Sequence, residues 1–181
     1  MACRSSGEVT ILPGSTDSGT IAIMPEDVVA TLDAVIDALN TAGIAYALCG
    51  GLAVNLHGHV RATRDIDFLL PSEELDRARA ALRALGFNID AGPIPFGAGT
   101  PNERVLHRVS RIIDGQLSTI DLMIVTPVLE SAWASRVCAR WRTRDVWTVS
   151  LEGLASMKRL AGRPQDLADL DNLGLDREEG P

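Results

Sequence analysis

The sequence predicts an α+β fold in which helices pack on a mixed β-sheet. Helical and strand periodicities alternate through residues 25–89. Two apolar runs joined by Asp114-Gly115 then give a hairpin signal over residues 105–125, and two short helices are expected near the C-terminal end. Because a hairpin pairs its strands antiparallel, this order of elements disfavours an all-parallel sheet.

The first half of the chain is predicted to form a helix and two strands around a pair of glycines. Pro25, followed by two acids, favours a helix start, and the helical apolar spacing continues toward Gly43. In chain order we predict a flexible arm over 1–24 with a short strand at 9–12, a helix over 25–43, strands over 44–49 and 65–70 on either side of a short helix over 52–56, and a helix over 72–85.

The second half begins with a segment rich in proline and glycine. Three residues of each type make residues 91–102 a predicted long loop and a candidate lid over a substrate. The remaining predicted elements are an edge strand over 87–89, hairpin strands over 105–113 and 117–125, a helix over 127–137, an extended stretch over 146–149, and helices over 151–160 and 164–173. Residues 25–175 are thus predicted to form a single domain, followed by a frayed tail over 176–181.

Length and composition are typical of one soluble domain. Of 181 residues, 46% are hydrophobic and 23% are charged, which is enough for one sizeable core but short for two. No apolar run reaches the ~18 residues of a membrane-spanning helix, and the N-terminal segment lacks the apolar core of a secretory signal. We therefore expect a cytoplasmic protein without membrane contact.

The charge of the chain disfavours general nucleic-acid binding. The net charge is −7 at neutral pH, whereas proteins that grip phosphate backbones are usually basic. Residues 136–163 are an exception, because they carry seven cations and two acids. That local excess could dock a tRNA end or an acidic protein partner.

Three aspartates are the main candidates for a chemical site. Asp65 and Asp67 are two apart on a predicted strand, so both side chains project from one face. Asp121 interrupts the apolar run of a later strand, where a buried charge requires a partner. If the two strands are neighbours, the three carboxylates converge, and such hard oxygen ligands suit Mg²⁺ or Mn²⁺.

Gly50-Gly51 stands between a predicted buried strand and a predicted helix. Glycines let the backbone approach a phosphate closely, and free N–H groups at a helix start attract anions. The segment therefore offers a phosphate cradle close in the chain to the acidic pair Asp65 and Asp67.

Each of these features also has a simpler interpretation. Gly50-Gly51 could be only a tight turn between a strand and a helix. Asp65 and Asp67 could lie on a solvated strand edge, and Asp121 could be a core acid paired with an arginine.

The nearby cations are open to two interpretations as well. Arg61 and Arg64 flank the acidic pair, where they could neutralise it, touch phosphates or form surface salt bridges. Lys158 is the single lysine of the chain and could be an ordinary solvent-facing cation.

The motif formed by Gly50-Gly51, by Asp65-Ile66-Asp67 and by Asp121 resembles the nucleotidyltransferase superfamily, whose minimal fold is shared with polymerase beta. The fuller string over residues 50–67 is similar to AbiEii toxin-like and related small bacterial nucleotidyltransferases. The segment over 154–170 resembles the closing helices of the same group. The resemblance implies a minimal nucleotidyltransferase fold and transfer of a nucleoside monophosphate from an NTP to an acceptor hydroxyl.

The resemblance also implies roles for the aspartates. By position in the motif, Asp65, Asp67 and Asp121 would hold the divalent metals as catalytic residues. Asp121 would complete the site and could help to deprotonate the acceptor. Mg²⁺ or Mn²⁺ is thus the implied cofactor, with an NTP as substrate.

The nucleotide side of the implied site uses backbone and cations. Gly50 and Gly51 would contact the triphosphate, and Lys158 matches a lysine of the closing helix that reaches the nucleotide. Arg64 is a further candidate for the phosphates. Asp166 or Asp169, also in the closing segment, could orient Lys158.

The sequence departs from the family motif at one position, and it leaves the acceptor and the partners of the protein open. Leu52 stands where many relatives have serine, so a hydroxyl contact to phosphate is missing or supplied elsewhere. The acceptor could be RNA such as tRNA, a protein or a small molecule, and the chain could be the toxin of a toxin–antitoxin pair or form a homodimer. The alternative function is a non-catalytic module that binds nucleotide or a partner on the same fold.

Overall fold

The computed structural model describes residues 26–175, so the arm predicted over 1–24 and the tail predicted over 176–181 lie outside the described part of the chain. Its helices are α1 (Glu26–Thr41), α2 (Gly50–Leu56), α3 (Leu75–Ala84), α4 (Glu130–Ala134), α5 (Leu151–Ala161) and α6 (Pro164–Asn172). Its strands are β1 (Ala47–Cys49), β2 (Ile66–Leu70), β3 (Ile89–Phe96), β4 (Arg104–Ile113), β5 (Gln116–Ile124), β6 (Val137–Trp141) and β7 (Arg144–Thr148).

These strands form one seven-stranded mixed sheet in the order β3-β4-β5-β2-β1-β7-β6. Two neighbouring pairs, β2 with β5 and β1 with β7, are parallel, and the other neighbours are antiparallel. The mixed sheet with helices packed on it confirms the predicted α+β class. The β4–β5 hairpin also forms as predicted, because Asp114 and Gly115 both take positive φ (51° and 75°), as a two-residue type I′ turn requires.

Both faces of the central sheet are buried, which explains its apolar strands. Along β2, Phe68 and Leu70 belong to a core cluster with residues of α1 and α3, while Leu69 between them packs with residues of α4 and α5. Alternate residues of a strand point to opposite faces, so Asp67 shares the α5 side with Leu69. No helix within residues 26–175 is long and apolar enough to cross a membrane.

Two predicted segments differ from the structure. Residues 89–96 form the edge strand β3 rather than the first half of a long loop, and its register shifts between Ala91 and Ile94. Prolines are tolerated in β3 because an edge strand leaves some of its N–H groups unpaired. The helix predicted over 127–137 ends earlier, at Ala134, and Val137 begins β6, which forms a second hairpin with β7.

Candidate active site

A row of register partners crosses four neighbouring strands. Cys49 of β1 pairs with Asp67 of β2, Asp67 with Asp121 of β5, and Asp121 with Arg108 of β4. Directly paired residues project from the same face of a sheet, and neighbouring strands lie about 4.8 Å apart. The carboxylates of Asp67 and Asp121 are therefore side by side on the face that α5 covers in part.

The row forms the floor of a cleft of about 310 Å³. The predicted site residues that line this cleft are Gly50, Gly51, Asp65, Asp67, Asp121, Lys158 and Asp166. Arg64 is exposed and is not among the lining residues, whereas Arg61 is. The fold thus brings the three aspartates and the glycine pair together, and the arginine on the other side of Thr63 takes the place expected for Arg64.

Asp67 is held where its negative charge is costly. Burial raises the pKa of Asp67 to about 7, and the charges of Asp121 and Asp65 act in the same direction. Arg163 and Lys158 oppose this effect only in part. A carboxyl crowded by like charges in a cleft is a position that a cation would relieve, and such perturbed groups concentrate at functional sites.

Asp121 is buried, 7% exposed, and has an arginine partner. The Nε and Nη2 of Arg108 donate to its two carboxylate oxygens, each at 2.8 Å. The hydrogen bond to Asp121 raises the pKa of Arg108. The simpler interpretation of Asp121, a core acid paired with an arginine, therefore describes its geometry, although the same carboxylate also lines the cleft.

The start of α2 lies directly against the aspartates. Gly50 has a φ of +63°, and a Cβ placed there would lie 2.6 Å from the Cγ of Asp67. A Cβ on Gly51 would lie 2.7 Å from the Thr63 Oγ1 and 2.8 Å from the Arg61 Nη2. Neither position admits a side chain unless a neighbour moves. The Gly50 backbone packs directly against Asp67, and the Gly51 backbone packs against Thr63 and Arg61.

Lys158 is buried, only 4% exposed, so its interpretation as a solvent-facing cation is wrong. Its Nζ donates to the Asp169 Oδ2 at 2.6 Å and to the Asp166 Oδ1 at 3.1 Å. Both aspartates lie on α6, which places them beside the α5 lysine, as expected for residues that orient it. An ammonium has three N–H donors, so one remains for the cleft.

Two arginines join these buried residues from the edge of the cluster, Arg61 with 22% and Arg163 with 75% of its side chain exposed. The Nε of Arg163 donates to the Asp166 Oδ2 at 2.7 Å, and the Nε of Arg61 lies 2.8 Å from the Asp169 Oδ1. Burial alone would raise the pKa values of both aspartates, but hydrogen bonds from Arg163 and Lys158 to Asp166, and from Lys158 and Gln165 to Asp169, hold both below their usual value. The cluster combines three cations with two carboxylates, which leaves this wall of the cleft positive.

The other cations of residues 136–163 are largely neutralised by carboxylates. The pairs are Arg140 with Asp145, Arg142 with Asp33, and Arg144 with Asp33 and Asp37. Three of the five are paired in this way, because α1 places Asp33 and Asp37 beside the hairpin. Arg136 lies over the Trp133 ring, and Arg159 donates to the Leu175 carbonyl oxygen.

Sequence reasoning missed the arginines on the β4 side of the cleft. Arg104 and Arg108 both line it. Arg108 could be predicted from the hairpin. A two-residue turn at Asp114-Gly115 places Arg108 directly opposite Asp121 when residues are counted back along both strands. Arg104 lies four residues earlier on the same strand, so it projects from the same face.

The donor set suits a divalent metal, although no ready-made metal centre is present among residues 26–175. No group of three or more His, Cys, Asp or Glu side chains in that part of the chain is arranged to hold an ion. Both carboxylate oxygens of Asp121 accept hydrogen bonds from Arg108. Chemically, the carboxylates of Asp65, Asp67 and Asp121 fit Mg²⁺ or Mn²⁺.

Comparison with known proteins identifies the family. The family model for aminoglycoside-2''-adenylyltransferases matches residues 31–173. The chain belongs to this family. The match includes every site residue described above, from the glycine pair to the Asp166–Asp169 segment, and membership of an adenylyltransferase family makes the chain a nucleotidyltransferase. No curated protein matches it in sequence.

Solved structures share the fold of this adenylyltransferase family member at low identity. A candidate nucleotidyltransferase from Thermotoga maritima has a TM-score of 0.58 at 17% identity, covering 85% of this chain and 96% of that one. ANT(2'')-Ia in complex with adenylyl-2''-tobramycin has a TM-score of 0.53 at 17% identity, covering 82% and 86%. The solution structure of ANT(2'')-Ia gives 0.55 at 16% identity, covering 82% and 83%. They confirm the nucleotidyltransferase fold, while the narrower resemblance to AbiEii toxin-like proteins stays a prediction.

Proposed function

We propose that the chain transfers a nucleoside monophosphate, AMP in the first instance, from an NTP to the hydroxyl of an acceptor. The observation that carries the proposal is the adjacent pair of carboxylates, Asp67 and Asp121, with the Gly50 backbone packed against Asp67 in one cleft. The family name suggests that the donor is ATP and the transferred group is AMP.

In this proposal the triphosphate lies at the β1 end of the row. Gly50 and Gly51 line the cleft at the start of α2, where their backbone N–H groups would bind phosphate oxygens. Arg61, Lys158 and Arg163 form the positive wall on the same side. Buried Asp169 holds Arg61 and Lys158 in position, while the more exposed Arg163 pairs with Asp166. Fixed cations stabilise the charge of a phosphoryl transfer without reorganising during the reaction.

The acceptor lies at the β4 end, beyond Asp121. Its hydroxyl oxygen attacks the α-phosphorus, the bond from that phosphorus to the β-phosphate bridging oxygen breaks, and pyrophosphate leaves. Asp121 accepts the hydroxyl proton once its carboxylate is released from Arg108. Asp65, Asp67 and Asp121 are the residues that would hold Mg²⁺, which would supply charge neutralisation between the carboxylates and the phosphates.

The non-catalytic alternative is less well supported by the same site. A module that only bound a partner would have no use for the adjacent carboxylates of Asp67 and Asp121, whose repulsion is unfavourable. A tRNA acceptor, an antitoxin partner and a homodimer remain predictions from the sequence resemblance. The pairing of Arg140, Arg142 and Arg144 with carboxylates weakens the argument for tRNA that the cations of residues 136–163 supplied.

The test is a transfer assay with label in the α-phosphate of each NTP, Mg²⁺ and a panel of hydroxyl acceptors. We expect labelled product and pyrophosphate in equal amounts, with a loss of about 100-fold or more in Asp67→Asn. Asp76→Asn, an exposed change on α3, is the matched control and keeps the wild-type rate. Equal rates in wild type and Asp67→Asn, or undiminished transfer in EDTA, would contradict the proposal, and tight NTP binding without product would support the alternative.

A further inference from the structure

We propose that Thr63 is a further nucleotide-binding residue, whose hydroxyl donates a hydrogen bond to an oxygen of the β- or γ-phosphate of the NTP. The inference rests on the proposed function, because it needs the triphosphate at the β1 end of the cleft. The Thr63 hydroxyl thereby supplies the contact that many relatives make with a serine at the position of Leu52.

Leu52 faces the core and not the nucleotide. Its side chain is only 1% exposed and belongs to the core cluster that contains Phe68 and residues of α1. It is not among the residues that line the cleft, whereas Gly50 and Gly51 beside it are. The first residues of α2 therefore offer backbone groups but no hydroxyl to a phosphate, and a hydroxyl contact has to come from another segment.

Thr63 brings a hydroxyl to this place from the loop between α2 and β2. It lines the cleft, and its Oγ1 lies 2.7 Å from the position that a Cβ on Gly51 would occupy. The Nη2 of Arg61 lies 2.8 Å from the same position. A hydroxyl and a guanidinium thus meet beside the Gly51 backbone, and both are donors that suit a phosphate oxygen.

The Thr63 hydroxyl has no strong acceptor within residues 26–175. In that part of the chain its hydrogen-bond acceptor is the Asp65 carbonyl oxygen, at 3.5 Å. Hydroxyl hydrogen bonds are typically about 2.7–2.8 Å long, so this contact is weak. A charged phosphate oxygen is a stronger acceptor than a carbonyl oxygen, and the O–H group turns toward it at little cost.

The loop that carries Thr63 is fixed by Asn55 of α2. The Asn55 Oδ1 accepts from the backbone N–H of Arg61, and its Nδ2 donates to the Arg61 carbonyl oxygen, both at 3.0 Å. Asn55 is buried, and the side chain of Arg61 is held in addition by Asp169. Thr63 is therefore in position before the nucleotide binds, so little conformational freedom is lost when the hydrogen bond forms.

The place of Thr63 in the cleft selects the phosphates that leave as pyrophosphate. Gly50 packs against Asp67, a proposed metal ligand, whereas the next residue, Gly51, packs against Thr63. The acceptor is assigned to the opposite end, beyond Asp121. Because the attacking and leaving oxygens lie roughly in line across the α-phosphorus, the β- and γ-phosphates extend away from Asp121 and toward Thr63.

Binding to variants that differ by one hydroxyl tests this inference. Wild type, Thr63→Val and Thr63→Ser are titrated calorimetrically in Mg²⁺ with α,β-methylene-ATP and with inorganic pyrophosphate. Thr63→Val keeps the shape of the side chain but removes the donor, so we expect it to bind both ligands about tenfold more weakly than wild type. Thr63→Ser keeps the hydroxyl, and its affinities should stay within about threefold of wild type.

Thr143→Val is the matched control, because it makes the same change at an exposed position in the β6–β7 turn, outside the cleft. It should bind both ligands as wild type does, and the Tm of Thr63→Val should lie within about 2 °C of wild type. Unchanged affinity of Thr63→Val for either ligand, a Thr63→Ser variant as weak as Thr63→Val, or a larger drop in the Tm of Thr63→Val would overturn this inference alone. Failure of wild type to bind the ATP analogue would overturn the proposed function as well.

Discussion

Asp67 and Asp121 are direct register partners on the parallel strands β2 and β5, although α3, β3 and β4 separate them in the chain. Their side chains therefore project side by side from the face that carries the cleft. Burial, together with the charges of Asp121 and Asp65, raises the pKa of Asp67 to about 7. The pair is thus a destabilising feature of the metal-free fold, and the proposed function explains why it is present.

Replacing Asp67 with Asn should stabilise the metal-free protein at neutral and alkaline pH. The pKa of Asp67 rises from 3.8 to about 7 on folding, so folding takes up protons and stability falls as pH rises from about 4 to about 7. The penalty is complete above that window and absent below it. A tenfold change in proton affinity corresponds to about 1.4 kcal/mol, so we expect Asp67→Asn to gain about 2 kcal/mol or more at pH 8.

Thermal melts of both proteins in EDTA at pH 4 and pH 8 check this prediction. The difference in Tm between Asp67→Asn and wild type should be small at pH 4 and several degrees at pH 8. A difference that does not change between the two pH values would show that Asp67 is not held in a charge-disfavouring environment.

Arg108→Gln should make the protein more dependent on a divalent metal. Loss of the bidentate contact leaves Asp121 without its partner beside Asp67, which should lower the free energy of unfolding in EDTA by about 1–2 kcal/mol. Saturating Mn²⁺ should then raise Tm more in the variant than in wild type, because the ion replaces the lost cation. Arg140→Gln is the control for loss of an exposed arginine, and an equal Mn²⁺ response in Arg108→Gln and wild type would count against the metal site.

Gly50→Ala should lower stability by more than the strain of its left-handed backbone conformation, and it should also weaken ligand binding. Gly43 and Gly50 have φ values of +62° and +63°, but a Cβ on Gly43 has no neighbour within 4 Å, whereas one on Gly50 overlaps the Asp67 carboxylate. Gly43→Ala should therefore cost only the left-handed strain of about 1–2 kcal/mol. Gly50→Ala should cost more and should also weaken binding of Mg²⁺ and ATP, measured by calorimetry. Equal stability and equal affinity for Mg²⁺ and ATP in the two variants would show that the contact between Gly50 and Asp67 is unimportant.

Lys158→Ala should be strongly destabilising rather than only inactive. The change leaves two buried carboxylates, Asp166 and Asp169, without their shared ammonium, and breaking such a buried pair typically costs about 3–5 kcal/mol. Arg159→Ala, at the neighbouring position, removes only an exposed hydrogen bond to the Leu175 carbonyl oxygen and should cost no more than about 1 kcal/mol. Urea unfolding of the three proteins measures both effects, and a Lys158→Ala variant as stable as wild type would contradict the buried role of the cluster.

Local patterns in the sequence predicted much of the fold. The two-residue turn Asp114-Gly115 predicted the hairpin, and its register also implied the pairing of Arg108 with Asp121. The parallel pairing of Asp67 with Asp121 could only be assumed, because a crossover of several elements does not fix the register between its two strands. The composition of residues 91–96 favoured a loop, since nothing in a single sequence shows that a strand will lie at a sheet edge, where proline is tolerated.

The positive wall of the cleft was predicted only in part. The single lysine, Lys158, was recognised, but its burial depends on Asp166 and Asp169 being carried beside it by the turn between α5 and α6. Arg61 and Arg64 both flank the acidic pair in sequence, and this position alone does not show which of them faces the cleft. The chain path between α2 and β2 decides between them, and it directs Arg61 toward Asp169.

The proposed metal-dependent nucleotide site can be tested by calorimetric binding of α,β-methylene-ATP, with and without Mg²⁺, to wild type, Asp67→Asn and the control Asp76→Asn. We predict tight binding only with Mg²⁺, a loss of affinity of about 100-fold in Asp67→Asn, and wild-type affinity in Asp76→Asn. Binding that is independent of Mg²⁺, or that is equally tight in Asp67→Asn, would contradict it.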